Sequence, residues 1–253
     1  MTGGAGRLAR IVRHPIKSLG YEEIDRAGLT PGAILPGDRQ WALAHEAAKF
    51  QGDPAGWVSH LNFVRGAAAP ALMAIRARTG AEGLTLTHPD RAPLTFDPAT
   101  AAGGAALIDW LGDLWPANRP APRGLVSAPG QPLTDVAEPF VSVLSLSSLA
   151  ALGSAMGREL SPHRFRGNLW IDGLPDWAER GWAAGQMLRI GAVTLEVVEP
   201  ITRCRATCGD PGTGREEGDT LAALEALHGD RDFGVYARVT AAGSVALGDE
   251  VQA

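Results

Sequence analysis

The sequence predicts a mostly β chain with a few helices, an α+β protein in two lobes. Three observations lead there. Apolar residues come in short runs cut by Gly, Pro or Asp, helical periodicity surfaces in only a few places, and five prolines crowd residues 116–134. Short alternating runs bounded by turn formers are the pattern of antiparallel strands. Proline lacks the N–H that helices and ladders use, so a cluster of prolines marks a boundary.

In chain order, "RLARIVRHPIK" (7–17) alternates Leu8, Ile11 and Ile16 imperfectly with polar residues. "DRQWALAHE" (38–46), "PALMAIRAR" (70–78) and "GLTLTH" (83–88) read as further short strands. "GAALIDWLGDLW" (104–115) changes period, because Leu107, Leu111 and Leu114 fall on one helix face with Ile108 and Trp115. The proline-rich stretch then separates an N-terminal domain over 1–115 from a second domain over 135–253. In the second, a strand over 139–144 runs into a helix capped by Ser145 or Ser147. "RFRGNLWIDG" (164–173) is a strand ending in a turn, and "MLRIGAVTLEVVEP" (187–200) is a hairpin turning at Gly191. "GDTLAALEALHG" (218–229) is a short helix between an Asp219 N-cap and a Gly229 stop. "FGVYARVTAAGSVALGDEV" (233–251) reads as a second hairpin.

With 253 residues and 45% apolar content, the chain can bury a full core. A charged fraction of 20% argues against extensive disorder. The net charge of −5 points away from nucleic acid and anionic membranes, which favour a broad basic face. No apolar run approaches the ~20 residues of a membrane helix, and "MTGGAGRLARIVRHP" has no hydrophobic signal core. The expectation is a cytoplasmic protein with free thiols.

Both cysteines of the chain, Cys204 and Cys208, fall in one segment, "VVEPITRCRATCGDPGTG" (197–214), with Arg203 and Arg205 flanking the first. Buried small hydrophobes are one reading, more natural for Cys208 than for Cys204. A disulfide is another, disfavoured in a reducing compartment. Zinc wants three or four ligands, and the six histidines form no metal-ligand spacing with these cysteines. The active reading is a reactive or metal-ligating thiolate at Cys204, since neighbouring cations favour the thiolate form of a thiol. A nucleophilic cysteine would need a histidine and an orienting acid, for which His163 and Asp135 are candidates. A soft metal would take the thiolate directly.

The cysteine segment resembles that of MOSC-domain proteins, the molybdenum-cofactor group that includes the mitochondrial amidoxime-reducing component and bacterial YcbX-type proteins. The family pattern is close to R-C-x-x-T-x-x-D-P-x-T-G, and here Arg203-Cys204, Thr207, Asp210-Pro211 and Thr213-Gly214 keep its spacing. Cys208 stands where the family often has a second threonine. "HPIKSLG" (14–20) is similar to the opening of the family's N-terminal domain, with His14 in place of the usual tyrosine. "GDRQWAL" (37–43), "LTDVAEPFVSVLSLSSLAAL" (133–152), "RFRGNLWIDG", "FGVYARV" (233–239) and "GDEV" (248–251) resemble further family segments in the right order.

The resemblance implies an N-terminal MOSC-N β domain, a C-terminal MOSC β-barrel and a cofactor cleft between them. It also implies a molybdenum cofactor with Cys204 as the protein's ligand to the metal. An anionic pterin cofactor on an acidic protein needs a local cationic cradle, for which the matched segments offer Lys17, Arg39, Arg166 and Arg203. Ser18, Asn168 and Thr202 are the neutral partners implied, Asp135 stands where the family's acid approaches the metal, and Tyr236 where its tyrosine lines the pocket. Each also has a plainer reading. Arg39 beside Asp38 reads as a surface ion pair, Lys17 as a solvent-facing strand end, Asp135 as a turn former and Tyr236 as core. Arg166, between Phe165 and Gly167, is harder to set aside, because a half-buried arginine wants an anion. Trp57 is a candidate for a substrate entrance.

By the same resemblance, the expected activity is two-electron reduction of N-hydroxylated compounds such as amidoximes, hydroxylamines, N-oxides and N-hydroxylated bases. The sequence shows neither the cysteine quartet of the ferredoxin domain that some relatives carry nor a nucleotide-binding glycine fingerprint in context. Electrons are therefore expected from a separate protein, a ferredoxin, a cytochrome b5-like hemoprotein or a flavoprotein. The alternative is a molybdenum-cofactor carrier or sulfur-transfer protein without turnover of its own.

Overall fold

The computed structural model describes residues 6–128 and 131–253. The first half carries β1 (Gly6–Arg13), β2 (Glu22–Ile24), β3 (Arg26–Leu29), β4 (Trp41–His45), β5 (Arg76–Gly80), β6 (Gly83–His88), β7 (Arg91–Phe96), α1 (Ala101–Leu111) and β8 (Pro122–Ser127). The second carries β9 (Val141–Ser145), α2 (Leu146–Ala155), β10 (Leu169–Asp172), β11 (Met187–Ile190), β12 (Val193–Thr202), α3 (Thr220–His228), β13 (Asp232–Ala241), β14 (Gly243–Ala246) and β15 (Glu250–Gln252).

Seven strands close into a barrel in the order β10-β9-β13-β12-β11-β15-β1, with β1 returning to β10. β9 and β10 run parallel, and the other barrel pairs are antiparallel. The interior is aliphatic: Leu8, Ile11, Val143, Leu169, Ile171, Leu188, Leu195, Val197, Val235 and Val251 form one buried cluster. Alternation along β11 and β12 supplies it, since Leu188, Ile190, Val193, Leu195 and Val197 point inward while their neighbours face out. On the outside, α2 and α3 cover an aromatic cluster in which Phe165 stacks on Phe233 at 4.3 Å and meets the edge of Trp170. Gly234, beside Phe233, has φ +75°, and a Cβ there would come within 2.6 Å of Leu144 Cγ. That position therefore accepts glycine alone without rearrangement.

The other lobe stacks the β4–β8 pair and the β5-β6-β7 sheet around α1, with Leu43, Leu72, Ile75, Leu86, Leu107 and Leu111 as its core. Thr100 caps α1 through the Gly103 N–H, Ser145 caps α2 through Ser148, and Asp219 caps α3 through Leu221 and Ala222. Gly229, left-handed at φ 79°, stops α3.

Three expectations change. Residues 70–74 are a 3-10 helix rather than part of a strand. Pro70 opens it, and Leu72, Met73 and Ala74 are buried consecutively, which the two-residue period of a strand does not allow. Residues 233–251 are not a hairpin, because β14 crosses to pair with β3 and β15 inserts between β11 and β1. Barrel closure decides this, since β15 covers edges that would otherwise stand open. The proline-rich stretch carries β8, which pairs with β4 and belongs to the first lobe, and β1 from the first half completes the barrel of the second. Sequence domains drawn at 1–115 and 135–253 are thus crossed by β1. Among the described residues, no helix is long and apolar enough to cross a membrane.

Candidate functional site

The cysteine loop follows directly from the end of β12 at Thr202. A single 3-10 turn, Arg205–Cys208, leaves Cys204 exposed and turns Cys208 inward. The Cys208 sulfur packs near Asp219 Oδ1 (3.8 Å) and Thr220 Oγ1 (3.7 Å) at the start of α3. No disulfide joins the two cysteines.

The loop is held from below by Arg164. Its Nη1 donates to the carbonyls of Cys208 (3.1 Å) and Glu217 (3.0 Å), and its Nη2 reaches Asp210 Oδ2 at 2.6 Å. Asp210 in turn accepts from the Gly212 and Thr213 amides, at 2.8 and 3.1 Å. Thr207 donates back to the Cys204 carbonyl at 3.1 Å and lies 2.6 Å from Thr220 Oγ1. The Asp-Pro-x-Thr-Gly segment therefore serves to fix a loop, and its Asp–Arg pair is its anchor.

Cys204 opens onto a cavity of about 360 Å³ between barrel and first lobe. Lys17, Ser18, Arg39, Asp135, Arg166, Asn168, Thr202, Arg203 and Tyr236 all line it, so the structure gathers the residues that the family resemblance implies around one space. Six lysines and arginines (Lys17, Arg39, Arg65, Arg164, Arg166, Arg203) face it against one carboxylate, Asp135. A chain of net charge −5 thus concentrates positive charge at one point.

Backbone strain accompanies that charge. Ser18, Arg39 and Arg166 have φ of 64°, 44° and 47°. The left-handed region costs a residue with a Cβ about 1 to 3 kcal/mol, and such residues cluster at functional sites. The strain is locked by surrounding bonds: Arg39 N–H donates to the His14 carbonyl at 2.7 Å, and Lys17 N–H to that of Trp41 at 2.7 Å.

The side chains divide into struts and open groups. Arg203 spends its guanidinium on the carbonyls of Phe233 and Phe165. Asn168 accepts from Ser142 N–H and Oγ–H at 3.1 and 2.9 Å and donates to the Val12 carbonyl at 3.1 Å, tying β9, β10 and β1 together. Thr202 donates to Asp232 at 2.6 Å. These three line the cavity, but their polar atoms are largely engaged within the protein.

Arg39 pairs with Asp38 and donates to the Arg166 carbonyl at 2.9 Å. Burial works against its charge, but Asp38 outweighs it and raises the pKa further. Arg166 reaches only carbonyls, Gly20 at 3.2 Å and Ile16 at 3.3 Å. Burial, with Arg39 beside it, pulls its guanidinium down to about 9.

Lys17 Nζ donates to Asp135 Oδ1 at 2.5 Å. Burial lowers the Lys17 pKa against the pull of Asp135. In Asp135, burial would raise the carboxyl, but Lys17 overcomes it and holds the group below the usual range. The Asp135 side chain is 61% exposed at the cavity mouth, whereas Lys17 is buried. Burial pushes the Tyr236 phenol above its usual value despite Arg203 and Arg39. Tyr236 packs on Phe140, their ring centroids 5.6 Å apart.

Behind the strained residues, His14 is fully buried, with N–H and Nδ1 at 2.6 and 3.1 Å from Asp38 Oδ1. Burial and Arg166 hold its imidazole down to about 3 against Asp38, so it is neutral. His163 is elsewhere: it stacks on Tyr21 at 3.7 Å and bonds Glu23, outside the cavity, which removes the Cys–His reading. Trp57 donates to the Thr134 carbonyl at 3.2 Å and stands beside the mouth rather than lining the cavity.

Sequence reasoning passed over His60, Arg65, Phe140, Ser142 and Arg164, which also line the cavity. Arg164 shares a motif with Arg166 and was within reach. His60 and Arg65 carry no local signal, because packing of one lobe on the other brings them there.

The arrangement suits an anionic group delivered next to a soft ligand. Among the described residues, no three histidine, cysteine or carboxylate side chains gather to hold a metal. One exposed thiol beside unneutralised guanidinium groups fits a metal that arrives already ligated by an anionic cofactor.

Residues 5–111 match the family model of the MOSC N-terminal beta barrel domain and residues 131–252 that of the MOSC domain. Mitochondrial amidoxime-reducing component 1 of Mus musculus is 35% identical over 127 residues, 46% of this chain and 36% of that protein. The Homo sapiens protein of the same name is 34% identical over 125 residues, 45% of this chain and 36% of that one. The molybdenum cofactor sulfurase of Caenorhabditis elegans is 37% identical over 79 residues, 30% of this chain and 11% of that one. The matched stretches thus span about a third or less of these relatives. The solved YUAD protein of Bacillus subtilis aligns over 98% of this chain and 94% of its own, at 13% identity and a TM-score of 0.47. With both domain models in their proper order over a mostly β, barrel-forming chain, the protein belongs to the MOSC family, a MOSC N-terminal domain followed by a MOSC domain.

Proposed function

We propose that this chain holds a molybdenum cofactor and reduces N-hydroxylated small molecules with electrons from a separate redox protein. The observation that carries the reading is the exposed Cys204 on the wall of a cavity lined by six cationic side chains and one carboxylate. When bound, the cofactor would supply the two-electron change that N–O cleavage requires. Cys204 would ligate the metal. Lys17, Arg39 and Arg166 would hold the anionic part of the cofactor, with Ser18 and Tyr236 as hydrogen-bonding neighbours.

The balance of the reaction is R–N–OH plus two electrons and two protons to R–N–H plus water. The electrons come from the donor protein, and the protons must reach the cavity from solvent. Lys17 is the proton-bearing member of the pair with Asp135, since Asp135 stays ionised. Asp135, at the mouth, faces both solvent and Lys17. The pair can therefore pass a proton inward and be refilled from outside. Arg203 and Asn168 act through their carbonyl and amide bonds by fixing the walls that carry the reactive groups.

Molybdenum and pterin content of the purified protein against Cys204→Ala, with benzamidoxime reduction by an artificial electron donor, tests this. Wild type should carry both components and turn over the substrate, and the variant should lose metal and activity together. Wild type without molybdenum, or equal metal in the variant, would overturn the reading. Loaded wild type that reduces neither benzamidoxime nor 6-N-hydroxylaminopurine would leave cofactor carriage without turnover in its place.

A further inference from the structure

The cavity has two unlike walls. On the barrel side, Arg203 is fixed by the Phe233 and Phe165 carbonyls, and Arg166 by those of Gly20 and Ile16. On the first-lobe side, His60 and Arg65 face the same space, and neither side chain has a hydrogen-bond or ion-pair partner among the described residues.

The backbone of that second wall is firmly placed. Val64 N–H donates to the Leu43 carbonyl at 2.8 Å, and Ala68 N–H to that of Arg65 at 3.0 Å. Gly66 is pressed so close to Met73 that a Cβ would meet its sulfur at 2.8 Å, with the Ala206 methyl of the cysteine loop at 3.6 Å. Arg65 therefore starts from a fixed point one residue from the wall of the cysteine loop, while its guanidinium remains unassigned. A resident group is best held by donors already locked in place, as on the barrel wall. A guanidinium anchored at its root and without a partner of its own among the described residues suits a ligand that enters and leaves.

We propose that Arg65, assisted by His60, is a specificity subsite that binds an anionic substituent of the substrate, a carboxylate or a phosphate. The preferred substrates of the reductase are then N-hydroxylated compounds carrying such a group at the end away from the N–O bond. The inference rests on the reductase reading for its substrate class, and on the two walls for its charge preference. The cofactor's own phosphate is the rival source of negative charge for Arg65.

The test uses the full-length, cofactor-loaded protein and two probes, benzamidoxime and its 4-carboxy derivative. Binding is measured by calorimetry, turnover with an artificial donor, and molybdenum by elemental analysis, for wild type, Arg65→Gln and Arg65→Lys. Wild type should bind the carboxylated probe more tightly, and more so at low salt. Arg65→Gln should raise its Kd at least tenfold more than that of the neutral probe. The change should fall on KM more than on kcat, Arg65→Lys should recover part of it, and molybdenum content should stay at the wild-type level. Equal effects on both probes, no preference in wild type, or loss of molybdenum in Arg65→Gln would overturn the proposal. Discrimination in binding with no turnover of either probe would sink the reductase reading and keep the anion subsite. Turnover of both without discrimination would do the reverse.

Discussion

Among single residues, the site turns on how each charge is compensated. Asp38 carries two burdens, pairing with Arg39 and receiving His14, and burial with Arg166 keeps the fully buried His14 neutral against its pull. The sign of the pH effect follows. Unfolded, the imidazole takes a proton near its ordinary value of about 6.5. Folded, it resists until about pH 3. Protonation therefore favours unfolding between those values, and the stability His14 contributes is complete above about pH 6.5 and lost as pH falls. Denaturant unfolding at pH 7, 5 and 4 should show wild type losing up to about 1.4 kcal/mol per pH unit more than His14→Tyr. Parallel pH curves for the two proteins would contradict this. The identities of Cys204, Lys17, Arg39, Arg166 and Asp135 were readable because each stands in a short recurring motif. The strained φ of Ser18, Arg39 and Arg166 was not, since no composition rule marks a serine or arginine as left-handed.

Among elements, the cysteine loop behaves as a stapled turn. Its shape comes from Arg164 below, Asp210 within and Thr207 against α3. Replacing Arg164 by Met would strand Asp210 and free the Cys208 and Glu217 carbonyls. Breaking a buried pair of this kind costs about 3 to 5 kcal/mol. Thermal unfolding of Arg164→Met should fall accordingly, and a thiol reagent should reach Cys208 faster than in wild type. An unchanged melting temperature with unchanged thiol kinetics would show that the staple is idle. Caps were legible from sequence at this scale: Ser145, Asp219 and Gly229 all stand where helix-end chemistry put them. The 3-10 helix at 70–74 was not, because a run of alanine, leucine and methionine next to β-forming residues has no period of its own. Its burial against the first-lobe core decided its form.

Across the whole molecule, the two lobes are stitched through β1. It pairs with β10, β15 and β2, and Leu8 N–H reaches the Asp249 carbonyl at 2.9 Å. A fragment of residues 131–253 should therefore fail to give a cooperative unfolding transition, since its barrel lacks one of seven staves. Adding a peptide of residues 1–25 in trans should restore part of the transition. A fragment that melts as sharply as the full chain would show that the barrel tolerates the gap. The proline cluster marks where chain-order reasoning would divide the chain, but only long-range pairing could assign β1 and β8 to their sheets. In chain order, β1 precedes both of its barrel partners, β10 and β15, the latter by more than 230 residues. Until those partners are made, β1 has only its short pairing with β2. The barrel edges of β1 therefore stay open to wrong pairing until β10 and β15 have been translated.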